Sequence, residues 1–263
     1  GKDQVCRAWG RGVILVNPLD AARRPTSHLL GDAEVCETCG SRVSGICRPL
    51  DAAALDEVVG QAEQFLLRTR MVVFHEGEPA TNVFTLAQGT AKLTRLLPDG
   101  REQVLGFRFA GDVFGYTAGK TYSYSAQLLT QATLCRIDRR RLEGLMQQLP
   151  MLERRFLDLC VQELAATQDQ LVSVGRRSAE ARLAAFLLQL AEAGRRRLHV
   201  GTALDMPMTR ADIADFLGLT LETVSRGFTA FRRRGWVREP AHNVVELLDP
   251  KALHELIEGV PFD

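Results

Sequence analysis

The spacing of apolar residues changes character several times along the chain. Residues 1–30 hold no sustained period and read as a loosely ordered extension. Over residues 50–67 the apolar positions Leu55, Val58, Val59, Ala62 and Phe65 or Leu66 fall on one stripe, which predicts a helix. From about residue 69 to residue 138, short β-branched and aromatic runs alternate with glycine: MVVFHEGE, NVFTLAQG, TAKLTRLLPDG, REQVLGFRFAGD. Pro98-Asp99-Gly100 predicts a hairpin turn, because proline presets φ and glycine accepts a positive one. Gly77, Gly89 and Gly111 mark further strand ends, and a strand over residues 128–137 closes the set. Short strands with regular turns predict a sandwich or jelly-roll-like β-roll.

After Pro150 the period becomes helical. Leu152, Phe156, Cys160, Leu164, Thr167, Leu171 and Val174 advance by three or four, near a heptad seam. Such a seam suits a helix that pairs with a second copy, although a core-facing helix shows the same period. Gly175-Arg176-Arg177 marks a hinge, and Ser178 caps a further helix with Leu183, Phe186, Leu187 and Leu190 inward, ending near Gly194. Next, Thr209 caps a short helix with Ile213, Ala214 and Leu217 inward. Gly218 makes the turn, Thr220 caps a second helix, and Val224, Phe228 and Phe231 form its inner face. That succession predicts a helix-turn-helix. Leu221, Glu222, Ser225, Arg226 and Thr229 are left outward, where arginine can donate to guanine and glutamate accept from cytosine. Residues 236–237 and 244–247 alternate as two strands of a wing. The fold class is α+β: an extension over 1–30, a cysteine-bearing β-roll over 31–149, a long helix over 150–176 suited to dimerisation and a winged helix-turn-helix over 177–263.

The 263 residues are 46% hydrophobic and 25% charged, as in a soluble globular protein, and the net charge of +1 carries no global sign of a nucleic-acid partner. The local distribution does. Arg226, Arg232, Arg233, Arg234 and Arg238 crowd one stretch, opposed there by Glu222 and Glu239, as contact with phosphates requires, although a solvated helix end gathers arginines as well. No apolar run approaches the ~20 residues of a membrane span, and the start lacks a secretory pattern, so the expected place is the cytoplasm without membrane contact. There is no P-loop, H-E-x-x-H or nucleophile–base set, and the five histidines are scattered, which argues against an enzyme.

Six cysteines in a chain of this size do not suggest a disulfide scaffold. Cys36, Cys39 and Cys47 form C-x2-C-x7-C within a glycine-containing segment poor in large apolar residues, which points to a metal site rather than a redox pair. Cys135 is the candidate fourth ligand; a buried strand cysteine is the alternative. Cys6 and Cys160 read as bystanders. Ligand counting alone does not separate zinc from an iron–sulfur cluster.

The segments CETCGSRVSGIC, FAGDVFG, AEARLAAFLL and GLTLETVSR carry a resemblance. The chain resembles the FNR branch of the cyclic AMP receptor protein/FNR superfamily of bacterial regulators, and its FnrL/FnrN-like members most of all. The resemblance implies a [4Fe–4S] cluster on Cys36, Cys39, Cys47 and Cys135, and base reading by Glu222, Ser225 and Arg226. It further implies an oxygen-sensing homodimer, a palindromic DNA site with TTGAT-like halves, and RNA polymerase as a partner. A cyclic nucleotide is not expected: Tyr116 stands near the position of the family's ribose-binding glutamate, and Tyr124 precedes Ser125 where arginine would hold the phosphate. A zinc-structured, oxygen-insensitive regulator is the alternative reading.

Overall fold

The computed structural model describes residues 39–196 and 202–259, so Cys6, Cys36 and the expected extension over 1–30 lie outside the described residues. The described residues divide into two compact units, 39–100 with 107–159, and 101–106 with 160–196 and 202–259.

In the first unit a short helix α1 (Gly40–Val43) precedes α2 (Ala52–Gly60), whose N-cap Asp51 accepts from the Ala54 N–H at 2.9 Å. The helix expected over residues 50–67 stops at Gly60, and Ala62–Leu67 is strand β1. Periodicity misled here because Ala62 and Phe65 lie three apart, yet they face opposite sides of a strand. Ala62 and Gln64 line one face, while Phe65 and Leu67 join the core of the roll. The ladder from Ala62 opposite Ile137 to Leu67 opposite Ala132 satisfies the backbone that a longer helix would have bonded internally.

The roll continues through β2 (Val72–Phe74), β3 (Asn82–Gln88), β4 (Thr90–Leu96), β5 (Glu102–Phe109), β6 (Val113–Phe114), β7 (Ser125–Leu128) and β8 (Ala132–Asp138). Two four-stranded sheets result, ordered β1-β8-β3-β6 and β2-β7-β4-β5. The expected single strand over residues 128–137 is therefore two pieces in different sheets. The chain crosses between them where the Leu129 N–H donates to Thr90 O and the Thr90 N–H to Thr130 Oγ1. The Pro98-Asp99-Gly100 turn forms as expected, with Gly100 at φ +83°. Leu86, Leu93, Leu128 and Leu134 pack with stacked rings in the core of the roll, Phe74 on Tyr122 at 3.8 Å between centroids.

A second core forms around Val83 and Ile137 on the other face of the first sheet. It joins α2, α3 (Arg139–Gln148) and the first turns of the long helix α4 (Pro150–Arg176) through Leu55, Val58, Leu142, Leu145 and Leu152. The hinge expected at Gly175 falls at its end, since the helix runs through that glycine to Arg176.

The second unit holds α5 (Ala179–Arg196), β9 (Ala203–Asp205), α6 (Arg210–Leu217), α7 (Leu221–Arg233), β10 (Val237–Ala241), β11 (Val244–Leu247) and α8 (Pro250–Glu258). Ser178 Oγ accepts from the Ala181 N–H at 3.2 Å, the cap expected for α5. The wing has a third strand, β9, paired to β11. Three residues with one inward side chain, Leu204, show no readable period.

Candidate functional site

The cysteine segment is folded tightly against the β5–β6 turn. A Cβ on Gly40 would sit 2.7 Å from that of Ala110, and one on Gly111, at φ +98°, 2.5 Å from Ser44 Oγ. Such approaches admit only glycine. Two arginines hold the carbonyls of the segment. Arg42 donates to Cys47 O at 3.1 Å and also to Leu50 O. Arg155, from the first turns of α4, donates through Nε to Gly45 O at 3.0 Å and through Nη2 to Ser44 O. Burial lowers the pKa of the Arg155 guanidinium from its ordinary value, and the Arg48 charge adds to this.

These contacts place Cys39, buried, and Cys47, half-buried, across from Cys135 on β8. In the ladder Cys135 lies opposite Gln64 of β1 and Thr85 of β3, so the three form one row on the sheet face away from the interior of the roll. All three side chains line a cavity of about 240 Å³ together with Cys39, Ser41 and Cys47. Engineered apolar cavities of ~150 Å³ already admit benzene, so this volume has room for a small group. Ser41 Oγ and Gln64 Oε1, both on its wall, are buried with no hydrogen-bond partner among the described residues. Each orphan costs roughly 1–3 kcal/mol unless an occupant satisfies it. Among the described residues no three His, Cys, Asp or Glu side chains close in on a single metal ion. The soft thiols surround a volume instead, and their donor set fits an iron–sulfur group. Cys36, the remaining expected ligand, lies outside the described residues.

The helix-turn-helix forms as its local signals require. Thr209 and Asp212 make a reciprocal capping box on α6, Gly218 closes it at φ +64°, and Thr220 Oγ1 accepts from the Thr223 N–H at 3.2 Å to start α7. Val224, Phe228 and Phe231 are buried with Ile213, Ala214 and Leu217. Leu221, Glu222, Ser225, Arg226 and Thr229 are exposed on the opposite face. Hydrogen bonds from the Glu222 backbone and the Thr220 hydroxyl, with a smaller pull from Arg226, hold the Glu222 carboxyl below the usual carboxylate range. It is thus an anion ready to accept from a base. The basic cluster is less bare than its sequence implies. Arg232 pairs with Glu239 at 3.1 Å, Arg234 with Glu180 at 2.8 Å and Arg238 with Glu246 at 2.5 Å. Among the described residues Arg226 and Arg233 form no ion pair.

Family models match both the roll and the helix-turn-helix. Residues 66–149 match the cyclic nucleotide-binding domain, and residues 181–256 the Crp-like helix-turn-helix domain. The chain is 36% identical to the nitrogen fixation regulation protein FixK of Bradyrhizobium diazoefficiens, over 84% of this chain and 93% of that protein. It is 39% identical to the transcriptional activatory protein AadR of Rhodopseudomonas palustris, over 84% and 92%. The structure of FixK2 from Bradyrhizobium japonicum superposes with a TM-score of 0.68 at 32% identity, covering 74% of this chain and 96% of that one. The chain belongs to the CRP/FNR family. It is a transcription regulator with a DNA-binding domain, not an enzyme.

Two features particularise this CRP/FNR protein. The first is the tyrosine-bearing stretch over residues 116–124, within the part matched by the cyclic nucleotide-binding domain. Here Tyr124 Oη accepts from the Gly115 N–H at 2.9 Å, and the Tyr116 hydroxyl donates to Glu143 at 3.2 Å. The Tyr122 hydroxyl, its pKa pushed up to about 12 by burial, donates to Asn82 O at 2.9 Å. The second is the long helix. Phe156, expected on the dimer seam, is turned inward: it is buried and meets the Tyr116 ring edge-on at 4.9 Å. The side chain reaches the second core, so the helix exposes the neighbouring register at its start. Leu157, Val161, Leu164, Leu171 and Val172 are each more than half exposed. Cys160 is exposed beside them, and the Thr167 hydroxyl bonds back to Glu163 O at 2.8 Å. Val174 sits under Gly218, and its carbonyl accepts from Arg182 at 2.6 Å, a tie that sequence reasoning missed.

Proposed function

We propose that this CRP/FNR protein is an oxygen-responsive regulator that binds a palindromic, TTGAT-like DNA site as a homodimer. The observation that carries the reading is the cavity, where thiols from segments almost ninety residues apart in sequence face one volume beside two unsatisfied polar groups. Cys36, Cys39, Cys47 and Cys135 would hold a [4Fe–4S] cluster there. Such a cluster, when bound, supplies an iron–sulfur core that oxygen degrades.

The protein's own residues convert that condition into a change of quaternary structure. Cys39 and Cys47 belong to the segment whose Ser44 and Gly45 carbonyls Arg155 grips, so the order of the segment is felt at the first turns of α4. Further along the helix lies the apolar stripe Leu157, Val161, Leu164 and Leu171, which a second copy would cover. Two paired recognition helices about 34 Å apart match successive major grooves of a palindrome. The packed tyrosines support a roll that takes no cyclic nucleotide, and contact with RNA polymerase completes the regulatory role.

The test is isolation of the full chain without oxygen, with iron, sulfide and zinc quantified and the visible absorbance followed on admission of air. Four irons and four sulfides per chain, lost in step with operator affinity, are expected; zinc alone ends the proposal. Arg155→Gln probes the link. It removes charge-assisted bonds worth roughly 1.5–3 kcal/mol each. Iron content is expected to stay at the wild-type level while the dimerisation constant measured by analytical ultracentrifugation falls about tenfold or more. Wild-type dimerisation in that variant would show that the grip transmits nothing.

A further inference from the structure

Ser41 is 3% exposed and Gln64 8%, and both face the cavity that the cysteines line. They come from different walls. Ser41 follows Cys39 on α1, and Gln64 lies on β1 directly across the ladder from Cys135. Among the described residues neither Ser41 Oγ nor Gln64 Oε1 has a partner. Buried hydroxyls and carboxamides in a native fold are nearly always hydrogen-bonded, so a pair of orphans aimed at one space specifies what belongs in it. Thr85 and Arg42 also line it, the latter with its guanidinium committed to the Cys47 and Leu50 carbonyls, and the remaining wall, including Ile46, Val58, Val83, Ile137 and Leu142, is apolar.

We infer that Ser41 and Gln64 are the hydrogen-bond donors to the sulfurs of the group held by Cys39, Cys47 and Cys135, and that they set how readily oxygen attacks it. The inference rests on the iron–sulfur reading above. A serine hydroxyl turns freely to donate. The Gln64 amide presents its –NH2 after a half-turn of its terminal torsion, the two ends being alike in shape. Donors to sulfur stabilise added negative charge on the core and so make electron loss harder, and such bonds are among the terms that tune cluster potentials. Ser41 and Gln64 are positioning residues in this scheme, not ligands.

The experiment uses the full-length chain isolated anaerobically, as wild type, Ser41→Ala, Ser41→Thr, Gln64→Leu and the Ser41→Ala/Gln64→Leu double variant. Iron and sulfide are counted first, and the first-order loss of visible absorbance in air-saturated buffer is then timed. Resonance Raman spectra in H2O and D2O report hydrogen bonds to the sulfurs directly. Decay several-fold faster in Ser41→Ala and in Gln64→Leu, faster again in the double variant and near wild type in Ser41→Thr, is the expected result. The deuterium shift of the Fe–S stretches should shrink in step. Loss of iron from Ser41→Ala with iron kept in Ser41→Thr also supports the inference, because the two differ in the hydroxyl. Equal loss from both, or wild-type decay with an unchanged deuterium shift, overturns it while leaving the cluster in place. A wild-type chain without iron overturns this inference and the proposed function together, which separates the two failures.

Discussion

Cys135→Ala is expected to abolish iron retention and anaerobic operator binding in one step. The residue supplies the one thiol from the sheet, opposite two from the N-terminal segment. Without it the cage has no anchor on the roll, and the segment around Cys39 and Cys47 loses its tie to β8. The variant should still fold. A half-buried sulfur beside an existing cavity is removed, at a cost of about 1 kcal/mol, so the thermal midpoint should move by only a few degrees. Cys160→Ala is the control: that thiol is exposed on α4, away from the cavity, and iron content should be unchanged. Iron analysis with electrophoretic mobility shift under nitrogen reads both outcomes. Four irons per chain in Cys135→Ala would refute the ligand set.

Arg226→Ala is expected to weaken specific DNA binding by roughly 30-fold or more. A bidentate arginine–guanine contact discriminates by ~1–3 kcal/mol, and a symmetric dimer makes it twice. The side chain is exposed on α7 beside Glu222 and donates to Thr223 Oγ1 at 3.4 Å, so its removal leaves the fold intact. Fluorescence anisotropy on the palindrome and on a duplex with the guanine replaced should show the loss confined to the cognate site. Arg233→Ala makes the contrast. If Arg233 meets phosphate, its loss weakens all sequences alike and flattens the salt dependence. A uniform loss in Arg226→Ala would assign it to the backbone as well and remove it from base reading.

Legibility followed the range of the interactions. The helix-turn-helix could be read from sequence because its determinants act within four residues: Thr209 and Thr220 as caps, Gly218 at positive φ, and Val224, Phe228 and Phe231 on one stripe. Strand texture was equally local, but the allocation of strands to sheets was not. Leu128 and Ala132 lie four apart and end up in different sheets, and Ala62 shares helical spacing with Phe65 yet belongs to a strand. On the long helix the period was correct and the phase partly wrong. Phe156 and Leu157 differ little in hydrophobicity, and the second core, through Tyr116, took the first of them.

The candidate centre shows the same division. Cysteine type and the spacing from Cys36 to Cys47 depend on nothing beyond the chain's own order, so they were available from sequence, as was the set of outward residues on α7. Which face of β8 carries Cys135, that Gln64 and Thr85 flank it, that Ser41 finds no partner among the described residues, and that Arg155 reaches back to Ser44 and Gly45 were decided by sheet register and packing. These contacts join residues from about fifty to more than a hundred positions apart, and no local propensity records them, because their free energy exists only once both partners are already in place.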